Sequence, residues 1–362
     1  MATGAAAQSQ SPAQWAGAGY LTRAADIHAD FPLLVAADSL ARGSGGAPQA
    51  TFAAALARRG VPLSGDLGAR PGPALALAFD AERRIRMAVA GGERASVLVT
   101  GQVLRFDFAT ALVEHAYPFS LEYIDVPAPG SDGRAELVRG LGALLAADGD
   151  NGALGRLAAE YAARAAGARS RCRVRFDAVD GLADDAADDT RRPEARRRLA
   201  ELFVKHWVST VGMAVLPSEN SEVLGGRMAA RFADGRVLTL ELPPPDFVVR
   251  LDSLRHSRRE VARNPAVRVE ALGASVLLRI ARPGAAKPVY EDRLRLTVAD
   301  TLAVLAEDRD ERRLRLRAVS ALAAGIARAV AQRDLGWLRR QSSRGGDAGR
   351  DLLDWAHQVC GA

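Results

Sequence analysis

The chain has 362 residues, 48% of them hydrophobic and 25% charged, a globular composition with room for two or three domains. Its formal net charge is +6. Only Lys205 and Lys287 are lysines, so arginine carries the basic excess, as codon usage in a GC-rich genome would produce. Bulk charge of that origin is no argument for an anionic partner.

Residues 1–28 read as a disordered tail, because Met1 to Gln14 lacks both the basic and the apolar region of a secretory signal. Residues 31–37 then read as a short buried strand, followed by a Gly/Ser loop and a helix over residues 49–59. Strands are expected over residues 74–79, 84–89, 96–108 and 117–126, with helices over 135–147 and 153–168. A strand over 172–178 closes a first module of residues 29–178. Cys172 alternates there with Val174 and Phe176, the position of a small buried hydrophobe. Two cysteines so far apart, Cys172 and Cys360, form no framework, though one bridge between them is compatible with the sequence.

An acidic stretch from Asp180 to Asp189 switches abruptly to Arg191 and Arg192, and marks a linker over residues 179–192. The second module, residues 193–341, opens on a helix with Leu199, Leu202, Phe203 and Trp207 in one stripe. Strands follow over residues 209–216, 227–233, 236–242, 247–254, 267–281 and 289–298. Asp234-Gly235 supplies the positive φ angles of a tight hairpin turn between two of them. Asp300 is expected to cap a helical C-terminal region with the stripe Leu316, Val319, Leu322, Ala323, Ile326 and Val330. Residues 342–362 are a flexible linker with a short last helix.

Two segments resemble one another. Phe79, Arg83, Ile85, Met87 and Val89 fall on Phe232, Arg236, Leu238, Leu240 and Leu242 at a constant offset, and shorter matches link Leu33–Ala37 to Met213–Pro217. The fold class that follows is α+β: two mainly antiparallel β-meander modules, each covered by helices, related by an internal duplication. The segments Ala95-Ser-Val-Leu-Val-Thr-Gly101 and Gly273-Ala-Ser-Val-Leu-Leu278 are similar to strands of envelope-associated domains such as the N-terminal domain of the TolB translocation protein and the curli secretion lipoproteins. These matches are short and identify no family.

The chemistry-bearing motifs are missing. Neither lysine follows glycine, so there is no phosphate-cradling Gly-Lys-Ser/Thr, and neither Gly-x-Ser-x-Gly nor His-Glu-x-x-His nor Cys-x-x-Cys occurs. No cofactor and no metal are expected. His28, His115, His206, His256 and His357 are scattered; His206, beside Trp207, is a candidate base only for a dispersed triad. The most suggestive polar segment is Ser218, Glu219, Asn220, Ser221 and Glu222, between an apolar strand and Gly225-Gly226, where a ligand-facing loop could sit. Arg312, Arg313, Arg315, Arg317, Arg339, Arg340 and Arg344 are candidate phosphate contacts with few aromatics near them, which makes nucleic acid the weaker partner.

The expected function is therefore a non-catalytic bacterial binding or assembly protein acting through loops or sheet edges, with a protein partner or self-association. A hydrolase or transferase with dispersed catalytic residues and a nucleic-acid-associated protein are the alternatives. No run of about 18 apolar residues offers a transmembrane helix. The cytoplasm is the expected location, with the periplasm or envelope as the alternative if a leader was removed.

Overall fold

A computed structural model describes residues 12–22, 25–43, 47–64, 72–89, 92–128, 130–147, 149, 152–164, 166, 170–179, 193–217, 227–232, 237–303 and 311–361. The chain forms two compact units. The first holds most of the chain from β1 to α5, joined by β8 and β9; the second holds β6, α6, β7 and everything from β10 onward.

In the first unit β1 (Ala13–Tyr20) is followed by α1 (Ile27–Asp30), α2 (Pro32–Gly43), α3 (Pro48–Arg58) and the short β2 (Leu63–Ser64). Three long strands come next, β3 (Pro73–Val89), β4 (Gly92–Asp107) and β5 (Val113–Asp125), and then α4 (Arg134–Ala146) and α5 (Ala153–Arg164). The second unit repeats this order. It runs β6 (Val174–Ala178), α6 (Pro193–Val211), β7 (Val215–Leu216), β10 (Phe247–Arg263), β11 (Val267–Ala281) and β12 (Tyr290–Ala303). It ends in α7 (Glu311–Ala331), α8 (Leu335–Gln341), α9 (Gly346–Asp354) and a π-helical turn, Trp355–Val359. Between β7 and β10 lie β8 (Arg227–Phe232) and β9 (Val237–Glu241).

Strand order shows the likeness of the units. β5-β4-β3-β1 with β2 beside β1 matches β12-β11-β10-β6-β7. In each, three long strands form an antiparallel meander. In each, the opening strand lies parallel to the first long strand and to the two-residue strand: β1 to β3 and β2, β6 to β10 and β7. Parallel neighbours need a crossover, and the helices α1–α3 and α6 supply it. The first sheet has an addition. β8 pairs antiparallel with the end of β1 through Gly19–Phe232 and Tyr20–Arg231, and β9 pairs with β8. A parallel bridge between Glu241 and Leu112 then brings β9 to the approach of β5, so this sheet curls back on itself.

Apolar stripes cover one face of each sheet. In the first unit α2 packs on α4 and α3 on α5, burying Leu33, Leu34, Phe52, Leu56, Leu141 and Tyr161. In the second, α6 packs on α7 and on β6, and α7 lies against β11 and β12. Phe176 and Trp207 meet at 5.5 Å between ring centroids inside that core.

The α+β class and the mainly antiparallel, helix-covered meanders hold, with β1 and β6 as parallel members of mixed sheets, but several elements differ from expectation. Ala13–Tyr20, within the span read as a tail, is the inner strand β1. Its small residues pack closely, and Gly17, at φ 103°, takes up the bulge where the register with β3 shifts. Residues 31–37 are not a strand: Pro32 opens α2, a first-turn position that suits proline. The Glu82 carboxylate, from β3, accepts the backbone N–H groups of Leu33 (3.0 Å) and Leu34 (2.6 Å) there, satisfying helix-end donors from outside the helix.

Residues 209–211 continue α6, and only Val215–Leu216 are extended. Asp300 caps no helix; it lies within β12, and Arg317 of α7 donates to its carboxylate. Residues 342–345, read as flexible, are held by the buried Asp292, which accepts from the hydroxyls of Ser342 and Ser343. The residue matches of the internal repeat also change. Residues 75–89 form one continuous strand, whereas residues 227–242 contain two, with Asp234-Gly235 outside the described residues. The topological counterpart of β3 is β10.

Candidate functional site

The histidines lie on separate elements: His28 on α1, His115 buried in β5, His206 on α6, His256 on β10 and His357 in the π-helical turn. His206 Nε2 lies 3.0 Å from Ser320 Oγ, a link between α6 and α7, and His357 Nε2 lies 2.8 Å from the Val330 carbonyl oxygen. Among the described residues no group of three or more His, Cys, Asp or Glu could hold a metal ion. The polar loop Ser218, Glu219, Asn220, Ser221 and Glu222 lies outside the described residues. Of the arginines considered for nucleic acid, Arg317 is paired with Asp300, and Arg344 donates to the Glu291 carbonyl.

Two features of the second unit form the candidate site. One is the outer edge of β12, the last strand of its sheet. Ser343 donates its N–H to the Arg293 carbonyl (3.0 Å), and Leu294 forms an antiparallel bridge with Ser342. Backbone groups alternate sides along a strand, so Arg295, Thr297, Ala299 and Thr301 share this outward direction with Arg293. Among the described residues nothing pairs with those four. Their side chains are exposed, while Leu294 and Asp300 on the opposite face are buried.

The other feature is a groove of about 270 Å³ where β10 begins, beside the β11–β12 connection and the end of the last helix. Phe247, Arg282, Val289, Asp351, Asp354 and Trp355 line it, with Gln358 and Val359. The Arg282 guanidinium stands 5.0 Å above the Phe247 ring, and Trp355 meets that ring edge-on at 6.0 Å. Val289 and Val359 are 48% and 46% exposed, so the apolar lining opens to solvent. Trp355 is buried, and its indole N–H meets no acceptor among the described residues.

Tight anchoring surrounds the groove. A disulfide joins Cys172 to Cys360, directly after the π-helical turn, and Arg171 donates its N–H to the Cys360 carbonyl at 2.9 Å. Ahead of Phe247, the Arg173 side chain and backbone N–H both bind Asp246, and these bonds hold its carboxyl below the usual carboxylate range. Burial, with Asp292 nearby, pushes the Tyr290 hydroxyl upward, so it stays protonated.

No protein-family model matches the chain, and no curated protein matches it. Among the solved structures that share some likeness are two lipoproteins. A minor lipoprotein from Acinetobacter baumannii is 12% identical, with a TM-score of 0.26, over 46% of this chain and 93% of its own. The rare lipoprotein B from Shewanella oneidensis is 13% identical, with a TM-score of 0.23, over 45% of this chain and 97% of its own.

Sequence reasoning missed the groove because its walls come from three separate segments. The one available signal was Trp355 and Val359 one turn apart just before Cys360.

Proposed function

We propose that this chain is a non-catalytic binding and assembly protein that takes up a strand of a partner protein along the free part of the β12 edge. The carrying observation is the strap at Ser342–Ser343, which already pairs with the first part of that edge. An edge that accepts one segment by backbone hydrogen bonds has the geometry to accept another, and strand addition is a recurring mode of protein recognition. Beyond the strap, the outward residues Thr297, Ala299 and Thr301 carry no charge that would block an incoming strand.

The Cys172–Cys360 bridge supports an oxidising compartment, the periplasm or envelope, over the cytoplasm, where thiols are kept reduced. Among the described residues no helix is long and apolar enough to cross a membrane.

The deciding experiment places a photo-crosslinking residue at Thr297 and compares adducts in the native background with those in an Ala299→Pro background. The Ala299 N–H points outward, so proline there removes an edge donor and leaves the β11–β12 ladder intact. Discrete adducts that vanish with Ala299→Pro are the expected result. Adducts that persist unchanged in that background would refute strand addition.

A further inference from the structure

We propose that the groove at Phe247, Val289, Trp355 and Val359 is a binding site for a peptide segment that presents an aliphatic side chain beside a lysine or arginine. The site is separate from the β12 edge and does not depend on it.

Three observations carry the proposal. The cavity, at about 270 Å³, is of side-chain rather than cofactor size, and its apolar wall is open at Val289 and Val359. Trp355 lines it as a buried aromatic wall, and its indole N–H, below the surface, lacks an acceptor among the described residues. Charge then selects the occupant. Of the charged residues that line it, two are acidic, Asp351 and Asp354, and one is basic, Arg282, which is stacked on Phe247. The groove therefore carries net negative charge on a chain whose formal charge is +6. That sign attracts a basic segment and repels the headgroups of anionic lipids.

The pinned wall follows the same logic. Trp355, Gln358 and Val359 belong to the π-helical turn, which the disulfide at Cys360 ties to the start of β6. A site whose wall is held in place loses little conformational entropy on binding.

The test uses the full chain, labelled with ¹⁵N, and reads its four tryptophan indole signals. The Trp355 signal is assigned by its loss in Trp355→Phe. The probe is a capped pentapeptide with a central leucine flanked by lysines; the controls are its glutamate-flanked counterpart and phosphatidylglycerol vesicles. The lysine peptide should shift the Trp355 indole signal with a Kd of about 0.1–1 mM, the range of a single small pocket. Replacing Asp351 and Asp354 by Asn should weaken it by about fivefold or more. Val359→Arg should abolish it by setting a cation in the groove; because Val359 is 46% exposed, this variant reads the site even if Trp355→Phe misfolds. No shift of any indole signal, equal binding of the glutamate peptide, or a response to vesicles alone would overturn the proposal.

Discussion

Cys172 and Cys360 are bonded to each other across 188 residues of sequence, so one covalent link joins the start of the second unit to its end. Both sulfurs are buried, and the link fixes the turn that carries Trp355. In the chain-entropy account, closing a loop of this length removes about 5 kcal/mol of unfolded-state freedom. Replacing both cysteines by serine, or reducing the native protein, should lower the denaturation midpoint strongly. Equilibrium unfolding in urea with and without dithiothreitol measures this; no change with reductant would show that the bridge does not form.

Glu82 gives a pH signature. Its carboxylate accepts from the first turn of α2, yet burial outweighs those bonds and pushes its carboxyl above the usual range, with the Leu34 and Leu33 N–H groups and Arg134 opposing. A carboxyl raised in the folded state binds its proton more tightly there than in the unfolded chain. Its contribution is thus fully present below the unfolded value and declines as pH rises through the folded one. The stability of the native protein relative to Glu82→Gln should therefore increase as pH falls toward the ordinary glutamate value. Thermal melts of both proteins between about pH 4 and 7 follow that window. Glu82→Ala, which leaves two helix-end donors unmet, should cost about 1–2 kcal/mol.

Gly140 on α4 has no room for a side chain. A Cβ there would lie 1.9 Å from the Tyr123 ring, so the helix rests directly on that tyrosine. Gly140→Ala should destabilise the protein by about 1–3 kcal/mol through overpacking. Gly43, at the end of α2, would meet nothing within 4 Å, and Gly43→Ala should be neutral or slightly stabilising. Chemical denaturation of the two variants side by side separates packing from helix propensity.

Ser342 controls how much of the β12 edge is free. Its hydroxyl donates to the buried Asp292 and accepts the N–H groups of Arg344 and Gly345. Ser342→Ala removes all three bonds, leaves Asp292 with Ser343 (2.8 Å), and should cost about 1–3 kcal/mol. Hydrogen exchange at the Ser343 amide, which donates to the Arg293 carbonyl, should accelerate in this variant as the strap loosens. Unchanged protection there would show that the strap does not depend on the serine.

Much of the meander was legible from local pattern. Residues 267–281 alternate buried and part-exposed side chains along β11, and residues 311–331 carry a helical stripe on α7. Period-two and 3.6-residue spacings report which face meets a core, and that is a local property. The apolar run at 31–37 has no such period, so a strand and a buried helix read alike; contact with Glu82, 48 or 49 residues away, accompanies the helical outcome.

The chain's order alone determined that it would form two helix-covered ribbons of long strands, because alternation and stripes are written residue by residue. The tertiary structure alone decided that β1 and β6 run parallel to β3 and β10, that Cys172 finds Cys360, and that three distant segments enclose the groove at Trp355. Each of these depends on which segments meet in space. Partners far apart in the chain leave no periodic trace, so only packing could reveal them.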